Sequence, residues 1–131
     1  MITRFKRLTI VKIRSPDDEL NSEVQWLSES LGLFSQRDKD RSCFRLFIAL
    51  IQSKKSLSSD ELAYKLNLSR ATVIHHLNKL ISAGLVVIDN NRYVLRERNL
   101  ELCLKRIKED ILSTFEEIES EAKQIDKKLK N

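Results

Sequence analysis

Between residues 69 and 79 the chain reads SRATVIHHLNK, and at helical spacing this stretch turns a set of hydrogen-bonding side chains in one direction. On a helical wheel of residues 70–83, Ala71, His75, Asn78 and Ser82 lie opposite Val73, Leu77, Leu80 and Ile81, with Arg70, Thr72, Ile74 and Lys79 on the flanks. An arginine fork fits guanine O6 and N7, an asparagine amide fits adenine N6 and N7, and small apolar groups pack on a thymine methyl. Arg70 and Asn78 suit the first two tasks; Ala71, Ile74 or the Thr72 methyl suits the third, and His75 completes the exposed set. Ile74 equally suits packing against a neighbouring hairpin or arm. Ser69, Thr72, Lys79 and Arg92 are the candidates for phosphate contacts, which position a protein without selecting sequence.

Such a face works only if its helix is held rigidly, and the flanking residues supply the means. Ser58 and Glu61 form a capping-box pair that opens one short helix, whose buried face is Leu62, Ala63 and Leu66. Asn67 and Leu68 turn the chain. Ser69 caps a second helix from about Arg70 to Ala83, and Gly84 ends it. Two strand-like segments follow, residues 85–88 and 92–95, joined by Asp89, Asn90 and Asn91, which tolerate positive φ and predict a hairpin. Upstream, CFRLFIALI at residues 43–51 contains one charge, Arg45, and predicts a central core helix. Ser15 with Pro16 predicts the start of a first helix with the stripe Leu20, Val24, Leu27 and Leu31, ended by Gly32. Residues 33–40 read as a polar connection.

From about Asn99, a possible cap, helical periodicity returns. Phe115, Ile118, Ala122, Ile125 and Leu129 recur at coiled-coil spacing, with Leu104, Ile107 and Ile111 extending the stripe upstream. So narrow a stripe needs a partner, and these eight residues are the expected interface of a homodimer. Residues 4–14, RFKRLTIVKIR, read as an extended arm or an edge strand.

Composition narrows the function classes. In 131 residues there are only two glycines and one proline, which favours a mostly α chain over a glycine-rich nucleotide fold. The net charge is +5, unevenly spread: +5 over residues 1–14, −5 over 15–40, +6 over 41–98 and −1 over 99–131. Positive charge therefore gathers on the arm and the helix pair, as a nucleic-acid partner requires. Cys43 and Cys103 sit among apolar neighbours and suit reduced, buried thiols in a cytoplasmic protein; no signal segment or membrane span is expected. No phosphate loop, zinc-protease motif or nucleophile motif is present, so an enzyme is not expected, and the Glu116, Glu117, Glu119 and Glu121 run reads as a solvated face. The adjacent His75 and His76 point about 100° apart on a helix and are poorly placed to share a metal ion.

The string SRATVIHHLNKLISAGLV followed by VIDNNRYVL resembles the recognition helix and wing of ArsR-type winged helix-turn-helix regulators, over about residues 41–98. The resemblance implies a homodimer joined through its terminal helices, binding double-stranded DNA at two half-sites and often responding to an effector, with His75 toward DNA or phosphate and His76 toward the scaffold. Metal-sensing members carry paired cysteines or clustered acids and histidines that this chain lacks, so no metal or cofactor is expected. The expected architecture is a winged helix-turn-helix plus a long C-terminal dimerisation helix. It divides into a basic arm and first helix (1–40), the DNA-binding domain (41–98) and the C-terminal helix (99–131). The arm would reach into a minor groove or add a strand within the dimer. The rival reading is a winged-helix adaptor that binds protein and not DNA; its difficulty is a reading face with little apolar anchor.

Overall fold

Leu46, Phe47 and Leu50 are shut off from water because the helix that carries them is apolar on nearly every side, and the rest of the chain is laid around it. The computed structural model describes residues 7–16, 18–33 and 41–130. Its elements are α1 (Leu20–Ser30), α2 (Ser42–Gln52), β1 (Leu57–Ser58), α3 (Ser59–Leu66), α4 (Arg70–Ser82), β2 (Val86–Asp89), β3 (Arg92–Leu95) and α5 (Leu100–Lys130). The fold is mostly α with a small antiparallel sheet, as the composition and periodicity predict. One buried cluster joins Val24 of α1 and Leu31 just after it, α2, Leu62 of α3, Val73, Leu77 and Leu80 of α4, Val86 and Leu95 of the sheet, and Cys103 and Ile107 of α5.

Three helices end on the same device. Gly32 (φ +65°), Asn67 (φ +54°) and Gly84 (φ +87°) adopt the left-handed conformation after α1, α3 and α4. In each case the next residue's amide reaches back: Leu33 N–H to Ser28 O, Leu68 N–H to Ala63 O, and Leu85 N–H to Leu80 O. This Schellman arrangement satisfies helix-end carbonyls and turns an apolar residue inward. Leu33 is accordingly buried, although the sequence assigns it to a polar connection; residues 34–40 of that connection lie outside the described residues.

The sheet has the order β1-β3-β2. The hairpin pairs Val86 with Leu95 and Asp89 with Arg92, and Asn90 and Asn91 turn it with φ of +51° and +60°. Such a pair of positive-φ residues matches the twist of the strands they join. The third strand, Leu57–Ser58, pairs antiparallel with β3 and is too short to carry a period.

Two expectations need correction. α1 starts after Glu19, with no side-chain cap, and not at Ser15 and Pro16. The Val11 amide donates to Ser30 O at the far end of α1, so the arm lies back along that helix, whose length is about 16 Å. Residues 7–16 form an extended arm without strand pairing; residues 4–6 of the predicted segment lie outside the described residues.

The second correction concerns α5. Asn99 caps it through its side-chain oxygen, which accepts from the Leu102 amide. Ile107 is only 2% exposed and belongs to the chain's own core, with Leu104 and Ile111 packed partly against the same cluster. These three residues, expected in a seam between copies, are seated on the domain that bears the helix. Phe115, Ile118, Ile125 and Leu129 are exposed, as is Ala122, because α5 runs past the end of that domain. Cys43 and Cys103 are free and buried; burial pushes the Cys103 thiol above the ordinary thiol range, opposed by the nearby Glu97 backbone.

Candidate nucleic-acid interface

The helix pair is fixed from its caps inward. The Ser58 hydroxyl accepts from the Glu61 amide at 3.0 Å, and the Ser69 hydroxyl accepts from the Thr72 amide at 3.1 Å while donating to the Thr72 hydroxyl at 2.8 Å. The turn between the helices is held from α2: the single charge in that apolar helix, Arg45, sends its guanidinium to Leu66 O at 2.9 Å. One orphan carbonyl at the end of α3 is thereby satisfied, which explains a charge in an otherwise apolar helix.

On this frame α4 sorts its residues as the wheel predicts. Val73, Leu77 and Leu80 are fully buried, whereas Arg70, Ala71, His75 and Asn78 are exposed and Thr72 is half-buried beside its cap. His76 turns inward, its Nε2 2.6 Å from the Ser42 hydroxyl of α2. The two histidines therefore divide into one outward and one scaffold residue. Ile74 is half-buried and packed against the core cluster, which answers why an apolar residue sits on that shoulder. Arg70 lies 3.7 Å from Asp60 in the first turn of α3, both well exposed; a pair so hydrated is weak and easily exchanged for another anion. No acid lies within α4 itself.

Two basic candidates are engaged with the scaffold. The Lys79 ammonium donates to Leu33 O at 3.1 Å, tying α4 to the residue that closes the end of α1. Arg92, expected beside the wing tip as a phosphate contact, is instead a clamp. It donates through Nε to the Ser56 hydroxyl at 3.1 Å and through Nη2 to Ser56 O at 2.8 Å, and its Nη1 lies 2.9 Å from Glu61. The Glu61 carboxylate thus turns to Arg92, in place of the reciprocal half of the capping box. The wing tip, Asp89 to Asn91, carries no base.

The structure adds residues that α4's periodicity does not reveal. The Arg7 amide donates to Ser82 O, and Gly32 lets the arm pass close, since a Cβ there would lie 2.8 Å from the Thr9 Cβ. Arm, α1 end and α4 enclose an open recess of about 500 Å³ lined by Arg7, Thr9, His75, Asn78 and Lys79 among others, with no carboxylate among the described residues of its wall. The signal for this in the sequence is the base-rich, acid-free stretch 1–14. Tyr64, 92% exposed on α3, has no counterpart in the periodicity at all.

Among the described residues no group of acids, histidines and cysteines could hold a metal ion, and no helix is long and apolar enough to cross a membrane. No curated protein and no solved structure matches the chain. The model of the bacterial regulatory protein, arsR family, matches residues 48–87, from the second half of α2 through the helix pair into β2. Laid over a capped helix pair with an outward polar face and a hairpin wing, that match makes residues 48–87 similar to the regulatory helix-turn-helix of the arsR family.

Proposed function

We propose that the protein is a sequence-specific transcription regulator that binds double-stranded DNA as a homodimer inside the cell. Helix α4 enters the major groove, with Arg70, Ala71, Thr72, His75 and Asn78 toward base edges and Ser69, Thr72 and Lys79 toward phosphates. Ile74 contributes at most its outer methyls, and Arg92 acts on binding only through the frame it clamps. The helix pair and wing within residues 41–98 form the reading unit. The arm and α1 (1–40) brace it, and the part of α5 beyond Ile111 joins two copies.

The observation that carries this reading is the division of α4 into a fully buried apolar face and an exposed polar one free of acids. A protein-binding adaptor would need apolar anchors on the same face, and Ala71, His75 and Asn78 supply none. The test is binding of Arg70→Ala and Asn78→Ala to a duplex selected from random-sequence fragments and to an unselected duplex. Each variant should lose roughly 1 to 3 kcal/mol, about 5-fold to 150-fold, on the selected duplex and little on the other. Equal losses on both would contradict base reading by these residues.

A further inference from the structure

The recess of about 500 Å³ between the arm and α4 combines bases with an apolar floor. Arg7, His75 and Lys79 line it beside Thr9, Asn78 and Ser82, with no carboxylate among the described residues of the wall. Leu31, Leu33 and Ala83, each at most 7% exposed, complete the lining. We propose that this recess binds a small organic phosphate and that the bound molecule excludes DNA from α4. Arg7 and Lys79 hold the phosphoryl group, and the organic body lies on the three apolar residues. The exclusion of DNA rests on the reading role given above to His75 and Asn78.

The site is held in place without a ligand. The Arg7 amide donates to Ser82 O at 3.0 Å and the Val11 amide to Ser30 O at 2.8 Å, so the arm is fixed to both α4 and α1. Gly32 lets Thr9 come close enough to complete the wall, and the bond to Leu33 O holds the Lys79 ammonium beside it. The carbonyl end of a helix ordinarily repels an anion. Here Lys79 O, Leu80 O, Ile81 O and Ser82 O already accept from the amides of Ala83, Leu85, Gly84 and Arg7. The last of these bonds comes from the arm, which thus covers a carbonyl as it builds the wall.

Two cations favour a doubly charged anion, and an arginine fork matches the oxygens of a phosphate. The volume is that of a small-molecule site, and its buried apolar floor suits an organic body better than the hydrated backbone of a duplex. His75 and Asn78 belong both to this lining and to the exposed face of α4. A ligand seated against them takes the space of a base edge and sets negative charge where a duplex brings its own. Occupation of the recess and docking on DNA are therefore mutually exclusive, and each weakens the other to the same degree.

Phenyl phosphate titrated into the full chain at constant ionic strength tests this, followed by amide NMR and by displacement of the selected duplex. Saturable shifts at millimolar concentration should centre on Thr9, Gly32, Leu33 and Ser82, and the apparent Kd for the duplex should rise in proportion to phenyl phosphate. Phenol should do neither. Arg7→Gln keeps the backbone bond to Ser82; it should weaken phenyl phosphate about tenfold with the melt unchanged and the duplex affinity within about twofold. Shifts that do not saturate, or that spread over the whole basic surface, would overturn the site. Saturable binding without displacement would overturn the exclusion of DNA. If Arg7→Gln weakens the duplex and lowers its salt slope by about one unit, the phosphate held there is one of the DNA backbone, and the free ligand is wrong. A chain that binds phenyl phosphate yet retains no duplex at low salt would remove the DNA-reading role and spare the site.

Discussion

Ile107 and Ile118 lie three turns apart on the same stripe of α5, yet their substitution should have opposite consequences. Ile107 is 2% exposed within the chain's own core, so Ile107→Ala removes buried methyl groups and leaves a cavity. Such changes cost about 2 to 5 kcal/mol, and full burial in the core cluster places the expected loss near 3 kcal/mol. For a chain of this size that is a fall in thermal midpoint of roughly 10 to 15 °C. Ile118→Ala touches no core residue of its own chain and improves helix propensity, so the fold of the single chain should be perturbed by less than about 0.5 kcal/mol. Its effect falls on association. Thermal melts followed by far-ultraviolet circular dichroism, with sedimentation equilibrium well below the midpoint, separate the two. Ile107→Ala should melt early yet associate like the unaltered protein when folded; Ile118→Ala should associate more weakly. If Ile107→Ala weakens association as much as Ile118→Ala does and leaves the melt in place, the division of α5 into a core segment and a seam is wrong.

The clamp assigned to Arg92 implies that Arg92→Ala lowers stability by about 1 kcal/mol while leaving the salt dependence of DNA binding unchanged; a salt slope smaller by about one unit would mark it as a phosphate contact after all. Gly32→Ala combines a left-handed backbone with a Cβ 2.8 Å from Thr9, so a loss of about 1 to 2 kcal/mol and faster amide exchange at Arg7 and Val11 are expected, and an unchanged melt would disprove the close passage of the arm. Burial holds the Cys103 proton in the folded chain to higher pH than in the unfolded one. The stability this contributes is complete below the ordinary thiol pKa and is lost as pH rises above it, so Cys103→Ala should flatten the alkaline fall of the urea midpoint between about pH 8 and about pH 10. An identical slope in both proteins would refute that burial.

What could be read from the sequence depended on how local the cause was. The caps at Ser58 and Ser69, the hairpin turn at Asn90 and Asn91 and the two faces of α4 each arise from residues within a turn of one another, and all appear where their spacing places them. Misreadings occur where a distant partner decides. Ser15 and Pro16 have the chemistry of a helix start, yet they belong to the arm whose Val11 amide is bonded to Ser30 O, and α1 begins only at Leu20. Arg92 looks like a free surface base until Ser56 and Glu61 are brought beside it by the fold. Leu104, Ile107 and Ile111 share a stripe with Ile118 and Ile125, and periodicity alone does not tell where a helix leaves its own core. Arg45 is the converse: an apparent blemish in an apolar helix that fastens the turn of the reading pair.

The central claim is that the exposed face of α4 selects DNA sequence, and a salt series of binding to the selected and the unselected duplex tests it most directly. The account predicts that affinity for both falls steeply as salt rises and that the selected duplex is preferred by about a thousandfold or more near physiological salt. Retention of neither duplex even at low salt, or equal affinity for both throughout the series, would contradict it.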